Sequence, residues 1–342
     1  MRVCFSGFTA QHIGNGTKLG YGPVIDLFAA ALRDAGVEVE HRRMTPGEDL
    51  TQFDCLIMGQ TPVNAMTGTY IYGALDAIAR ARSCSVGLVF MIDDWAVKLL
   101  GSGVRTYAKK PERLVKELFE DRPNWQWANE NLAHLEQVLY AMRDRPWPPL
   151  LVPKFEWGDP SKLVEPLNSK KFVYVDPSAY ATEYPTVIPP DNEKYGAWVL
   201  GILSDQRKWT DSLGLGWPVS YIGGKRSKAE KSMKEVDLVQ RYAQCWGVLS
   251  PPYDHAGSGW WRNRFVYAAR TNTILLGDEA EVSPIGDTYR IKASEVEGLT
   301  VPQLRDLANA QREQLESWQW PKEKVQQVIL DTVREAVEEA KT

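Results

Sequence analysis

The chain has 342 residues, 44% of them hydrophobic and 25% charged, with a net charge of −4. That length exceeds what one hydrophobic core usually serves, so two domains with a ligand cleft between them are expected. No apolar run is long enough to span a bilayer, the start lacks a secretory signal pattern, and nothing in the overall charge advertises a polyanionic partner.

The four cysteines, Cys4, Cys55, Cys84 and Cys245, lack CxxC spacing, and the first three lie in or beside apolar runs. They read as small hydrophobes, with neither a disulfide framework nor a zinc site. The expectation is a cytoplasmic monomer with no membrane partner and no tightly bound cofactor. Thirteen tryptophans are many for this length, and most are expected in cores and between domains.

In chain order, short apolar runs alternate with amphipathic stretches. Strands are expected at 3–5, 37–41, 55–58 and 85–92, and helices at 24–35 and 72–82. This alternation is the pattern of a parallel sheet with crossover helices. A helix at 125–143 ends at the breaker RDRPWPPLLVP, and 172–175 reads as one more strand. The stretch YPTVIPPDNEKYG, residues 184–196, mixes prolines with polar residues and suits an inter-domain linker. Alternation then restarts, with strands at 197–203, 219–222, 246–249 and 273–276 and a helix at 263–270. The tail reads as two helices, 301–318 and 321–340, the second opening with Pro321 at its first helical position.

The first loop is glycine-rich. Gly14, Gly16, Gly20 and Gly22 are spaced G-x-G-x-x-x-G-x-G, which is not the dinucleotide fingerprint, and the loop is too long for the tight turn that seats a pyrophosphate. A cover that closes over substrate, with glycines allowing close backbone approach, suits it better.

KLGYGPVIDLFAAALRDAGVEVEHRRM, residues 18–44, resembles the amino-terminal segment of glycosyltransferases of GT-B architecture. AWVLGILSDQRKWTDSLGLGWPVSYIGG (197–224) and GVLSPPYDHAGSGWWRNRFVYAARTNTILLGDEAEV (247–282) are similar in order and spacing to the donor-binding half of such enzymes. Within them the chain most resembles the bacteriophage DNA β-glucosyltransferases. The likeness rests on VGLVFMIDDW, the Gln-Arg pair after the first strand of the second half, the arginine-led helix before ILLGDE, and the tail YRIKASEVEGLTVPQLRDLANAQREQL.

The resemblance implies an α/β chain of two Rossmann-like domains, an acceptor domain at 1–183 and a nucleotide-sugar domain at 196–320, with a helix at 321–342 crossing back to the first. It implies an inverting transferase that takes a UDP-sugar as co-substrate, is compatible with Mg or Mn, and acts on 5-hydroxymethylated bases of double-stranded phage DNA in the host cytoplasm. A GT-B transferase for small molecules or glycans, and a non-catalytic nucleotide-sugar-binding protein, are the alternatives.

A diphosphate needs cations and hydrogen-bond donors at loop-to-helix junctions. Gly16, Ser204, Arg207, Lys208, Gly223, His255, Arg262 and Arg264 are the expected donor-binding residues. Tyr267 joins them with a departure, because the phage family has a ribose-binding glutamate three residues after its arginine and this chain has a phenol. That substitution also argues against a retaining enzyme with an E-x7-E element. For the general base, Asp93 and Asp94 directly follow the strand at 85–92, and His12 in the opening loop is the rival. Arg105, Lys109 and Lys110, and Lys225 and Arg226 in the cation-rich GGKRSKAEKSMK, are the expected contacts to a phosphate backbone. A target base would have to be flipped out of the duplex to meet the base catalyst.

Overall fold

The computed structural model describes residues 1–6, 22–42, 44–45, 47–59, 77–78, 80–91, 149–153, 172–183, 186–201, 206–222, 235–251, 263–277 and 291–342. Among these residues the chain forms two separate parallel sheets. The first has the order β2-β1-β3-β4-β5-β6 and the second β10-β9-β7-β8.

In the first half, β1 (Arg2–Ser6) is followed by α1 (Gly22–Asp34), β2 (Glu38–His41), β3 (Cys55–Gly59), β4 (Gly87–Met91), β5 (Leu150–Pro153) and β6 (Phe172–Val175). β1 pairs with β2 through Val3 and Val39 and with β3 through Val3 and Cys55. The apolar runs become buried strands because both faces of the sheet are covered, one by α1 and the other by Met44, Leu50, Phe53, Ala77, Ile78 and Ala81. β4 is shorter than its apolar run: residues 81–85 form a turn, and Ser85 takes the left-handed backbone with φ 54°. β5 corrects the reading of RDRPWPPLLVP as a breaker alone. Leu150 and Leu151 pair with Phe90 and Met91, and Pro153 closes the strand at its end, where a missing N–H is tolerated.

The second half runs β7 (Tyr195–Gly201), α2 (Gln206–Ser212), β8 (Val219–Ile222), α3 (Glu235–Gln244), β9 (Cys245–Ser250), α4 (Asn263–Arg270) and β10 (Ile274–Gly277). It ends in α5 (Ala293–Glu297), α6 (Val301–Glu316) and α7 (Lys322–Lys341). Pro321 precedes α7 as its cap, with extended ψ 145°, and is not its first helical residue. At α6, Gln303 Oε1 accepts the Thr300 backbone N–H at 2.9 Å, satisfying a donor at the helix entrance.

α7 packs on the first sheet, against β4, β6 and α1. Gly87 permits this approach: a Cβ there would stand 2.8 Å from the Val337 nitrogen and 2.9 Å from the Ala336 carbonyl carbon. Asp176, fully buried just after β6, accepts the Ser178 N–H at 2.9 Å and the Trp320 N–H at 3.2 Å. One carboxylate thus ties the chain leaving the first sheet to the segment that leads into α7. A continuous apolar cluster runs from Val3, Phe5, Val89, Val333 and Val337 to Val199, Val248 and Phe265. Among the described residues no helix is long and apolar enough to cross a membrane.

Candidate functional site

In each sheet the strands are parallel, so every strand of a sheet delivers its following loop to one carboxyl edge, the place where open α/β sheets bind ligands. At the second sheet, β7 and β9 are hydrogen-bonded neighbours. Each is followed by a helix with an arginine in its first turn, Arg207 in α2 and Arg264 in α4. Helix amino ends carry partial positive charge, so the topology brings two guanidinium-bearing helix starts to adjacent positions on one edge. Lys208 follows Arg207 in α2. Arg264 is half-buried, with Nη1 shut off from solvent.

Tyr267, expected to contact the donor, lies in α4. It is 3% exposed, and its ring meets that of Tyr242 edge-on at 6.1 Å between α4 and α3. The apolar face of α4 takes this ring into the core, where it packs α4 against α3.

At the first sheet, β1 ends at Ser6, β3 at Gly59 and β4 at Met91, two residues before Asp93. Asp93 and Asp94 themselves, with His12, Gly16, Arg105, Lys109 and Lys110, lie outside the described residues, as do Ser204, Gly223, Lys225, Arg226, His255 and Arg262. Sequence reasoning passed over two residues at this edge. His41, the last residue of β2, stacks on Phe5 with ring centroids 5.2 Å apart, and burial, helped by Arg33, holds its imidazole below the usual histidine range. Ser6 is fully buried, and among the described residues its Oγ has no hydrogen-bond partner. A serine directly after the apolar run Val3–Phe5 was the signal available in the sequence.

The cysteines behave as hydrophobes. Burial pushes the Cys4 thiol up to about 12 and the Cys245 thiol up to about 11, so neither is a nucleophile near neutrality. Among the described residues no group of three His, Cys, Asp or Glu could hold a metal ion.

No known protein family and no curated protein matches the chain in sequence. Solved structures do match in shape. T4 phage BGT in complex with UDP and Mn2+ superposes with a TM-score of 0.65 at 13% identity, over 97% of this chain and 99% of that one. A structure of the DNA-modifying enzyme β-glucosyltransferase, determined with and without uridine diphosphoglucose, gives 0.55 at 12% identity, over 99% of this chain and 100% of that one. T4 phage BGT with its UDP-glucose substrate gives 0.51 at 11% identity, over 99% and 96%. At such identities the likeness is one of fold: the chain has the two-sheet GT-B architecture along almost its whole length.

Proposed function

We propose that this chain is a glycosyltransferase that moves a sugar from a UDP-sugar, glucose in the simplest case, to the hydroxyl of a 5-hydroxymethylated base in double-stranded DNA, with inversion. The observation that carries the reading is the near end-to-end correspondence of fold with T4 phage BGT, 97% of one chain on 99% of the other. In this reading residues 1–183 take the acceptor, 196–320 hold the donor, and 321–342 return to the first domain.

The chemistry follows from what each edge carries. The donor diphosphate binds at the carboxyl edge of the second sheet, its charge met by Arg207, Arg264 and the amino ends of α2 and α4. One of Asp93 and Asp94, with Asp94 favoured, removes the proton from the acceptor hydroxyl. That oxygen attacks the anomeric carbon as the bond from this carbon to the diphosphate oxygen breaks, and UDP departs with the bonding pair. The negative charge growing on the leaving group is what the two arginines stabilise. A divalent ion, where one takes part, would enter with the diphosphate and add charge stabilisation there.

The acceptor side has local support in sequence only: Arg105, Lys109 and Lys110 follow the aspartate pair, and Lys225 and Arg226 sit in a run of cations. Such clusters attract a phosphate backbone on a protein whose net charge is negative.

The test is a transfer assay with radiolabelled nucleotide sugars against 5-hydroxymethylcytosine DNA, 5-hydroxymethyluracil DNA, unmodified DNA and small hydroxylated acceptors. Transfer from UDP-glucose to a hydroxymethylated base is the expected result, and Asp94→Asn should slow it roughly a hundredfold while leaving UDP binding intact. Transfer only to small acceptors, with His12→Ala inactive and both aspartate variants active, would move the base to the opening loop and the acceptor class with it.

A further inference from the structure

The interior of β1 is apolar up to its carboxyl end, and there Ser6 breaks the rule. Val3, Cys4 and Phe5 of β1 are fully buried. Ser6, next in the strand, pairs with Met58 of β3, which pairs in turn with Phe90 of β4. Residues paired across parallel strands share a face, so Ser6 stands in a row with two large apolar side chains, both buried.

A hydroxyl at the end of such a row should find a partner, because a buried donor or acceptor left alone loses its bonds to water and gains nothing in return. Ser6 Oγ has none. A sheet of this kind has no packing need for a polar group here: alanine would fill the position, and the cysteine two residues earlier shows what the same face accepts. Exceptions to polar satisfaction that persist in a folded protein concentrate at functional sites. β1 is an inner strand, with β2 on one side and β3 on the other, and Ser6 is its last residue at the edge where ligands bind.

We infer that Ser6 is a positioning residue of the transfer reaction, its hydroxyl being the hydrogen-bond partner of a substrate hydroxyl held at the carboxyl edge of the first sheet. This rests on the glycosyltransferase reading above. Two substrates carry such a hydroxyl, the transferred sugar and the acceptor.

The experiment compares full-length wild type, Ser6→Ala and Ser6→Thr for thermal stability, for binding of UDP and UDP-glucose by calorimetry, and for steady-state transfer to 5-hydroxymethylcytosine DNA. Removing an unsatisfied buried hydroxyl should leave Tm unchanged or raise it by roughly 1–2 °C, while kcat/KM falls about tenfold. Threonine, which keeps the hydroxyl, should restore most of the activity. If the sugar is the partner, Ser6→Ala weakens UDP-glucose binding and spares UDP. If the acceptor is the partner, both affinities hold and the acceptor KM rises. A Ser6→Ala chain whose Tm falls, or whose kinetic constants match wild type, overturns the assignment. Absence of transfer and of UDP-glucose binding in the wild type itself would instead remove the glycosyltransferase reading, and the role of Ser6 with it.

Discussion

Two buried polar groups, Lys194 at the amino edge of the second sheet and Ser6 at the carboxyl edge of the first, are met in opposite ways. At the amino edge, Lys194 is 8% exposed and its ammonium reaches the carbonyls of Asn272 at 2.8 Å and Thr271 at 2.9 Å, with Thr273 Oγ1 at 3.2 Å and the Cys245 carbonyl at 3.5 Å. It also lies 4.9 Å above the Trp246 ring. These partners precede or begin β9 and β10, while Lys194 precedes β7, so one cation stitches together the starts of three neighbouring strands. Glu297 does the same for the fourth. It accepts from the Gly216 N–H at 2.8 Å, the Trp217 N–H at 2.9 Å and Trp198 Nε1 at 2.7 Å, holding the approach to β8 against β7. At the carboxyl edge of the first sheet, Ser6 Oγ is buried and unmet among the described residues. Lys194, with its acceptors in place, holds strand starts together, whereas Ser6 stands at an edge where parallel sheets bind ligands; Asn272 Oδ1, beside the lysine, is also buried and unmet.

The comparison breaks first at Lys194. Lys194→Ala should strand several buried acceptors and destabilise the chain by about 3 kcal/mol or more, read by urea unfolding, while UDP-glucose affinity of the folded protein stays near wild type. A fall in affinity as large as the fall in stability would erase the distinction between the edges.

A slightly smaller effect should appear with pH. Burial pulls the Lys194 amine down from the ordinary 10.5 to about 8. Between those values the unfolded chain keeps a proton that the folded chain has released, so this group's contribution raises stability as pH climbs through the window. The neutral amine still offers N–H donors to the same carbonyls. Cys245 opposes it: its thiol, raised from 9.0 to about 11, makes stability fall over that range. Asp191 also acts on Lys194. Comparing wild type with Lys194→Met by unfolding at several pH values isolates the lysine, and the difference should grow by up to about 3 kcal/mol from pH 8 to 10.5. A flat difference would deny the burial of charge.

Glu297→Ala should cost about 2 kcal/mol, because it leaves two backbone donors and an indole N–H without their acceptor. Since this acts at the amino edge, donor affinity should hold. The smallest change in stability, and the clearest in function, is expected at the carboxyl edge of the second sheet: Arg264→Ala should weaken UDP-glucose binding about tenfold, as loss of a charge-assisted bond does. Unchanged affinity would remove Arg264 from the donor site.

Periodicity and punctuation in the sequence carried most of the fold. Apolar runs marked β1, β3, β4, β6, β7, β9 and β10 to within a few residues, since a strand buried on both faces is apolar throughout. β5 was hidden by its prolines, and Pro321 was set one place too far into α7, because local rules cannot tell a first helical residue from a cap. For the site, chain order after strands was enough to nominate Arg207, Arg264 and the aspartate pair.

The two-sheet α/β organisation was legible in the chain alone, because hydrophobic period and strand-to-helix order are local properties. Long-range packing set the rest: Tyr267 against Tyr242, Lys194 across three strand starts, Gly87 admitting α7, and Ser6 buried with no partner among the described residues. Each of these depends on which distant residue arrives opposite, and burial and pairing across tens or hundreds of residues leave no periodic trace in the sequence.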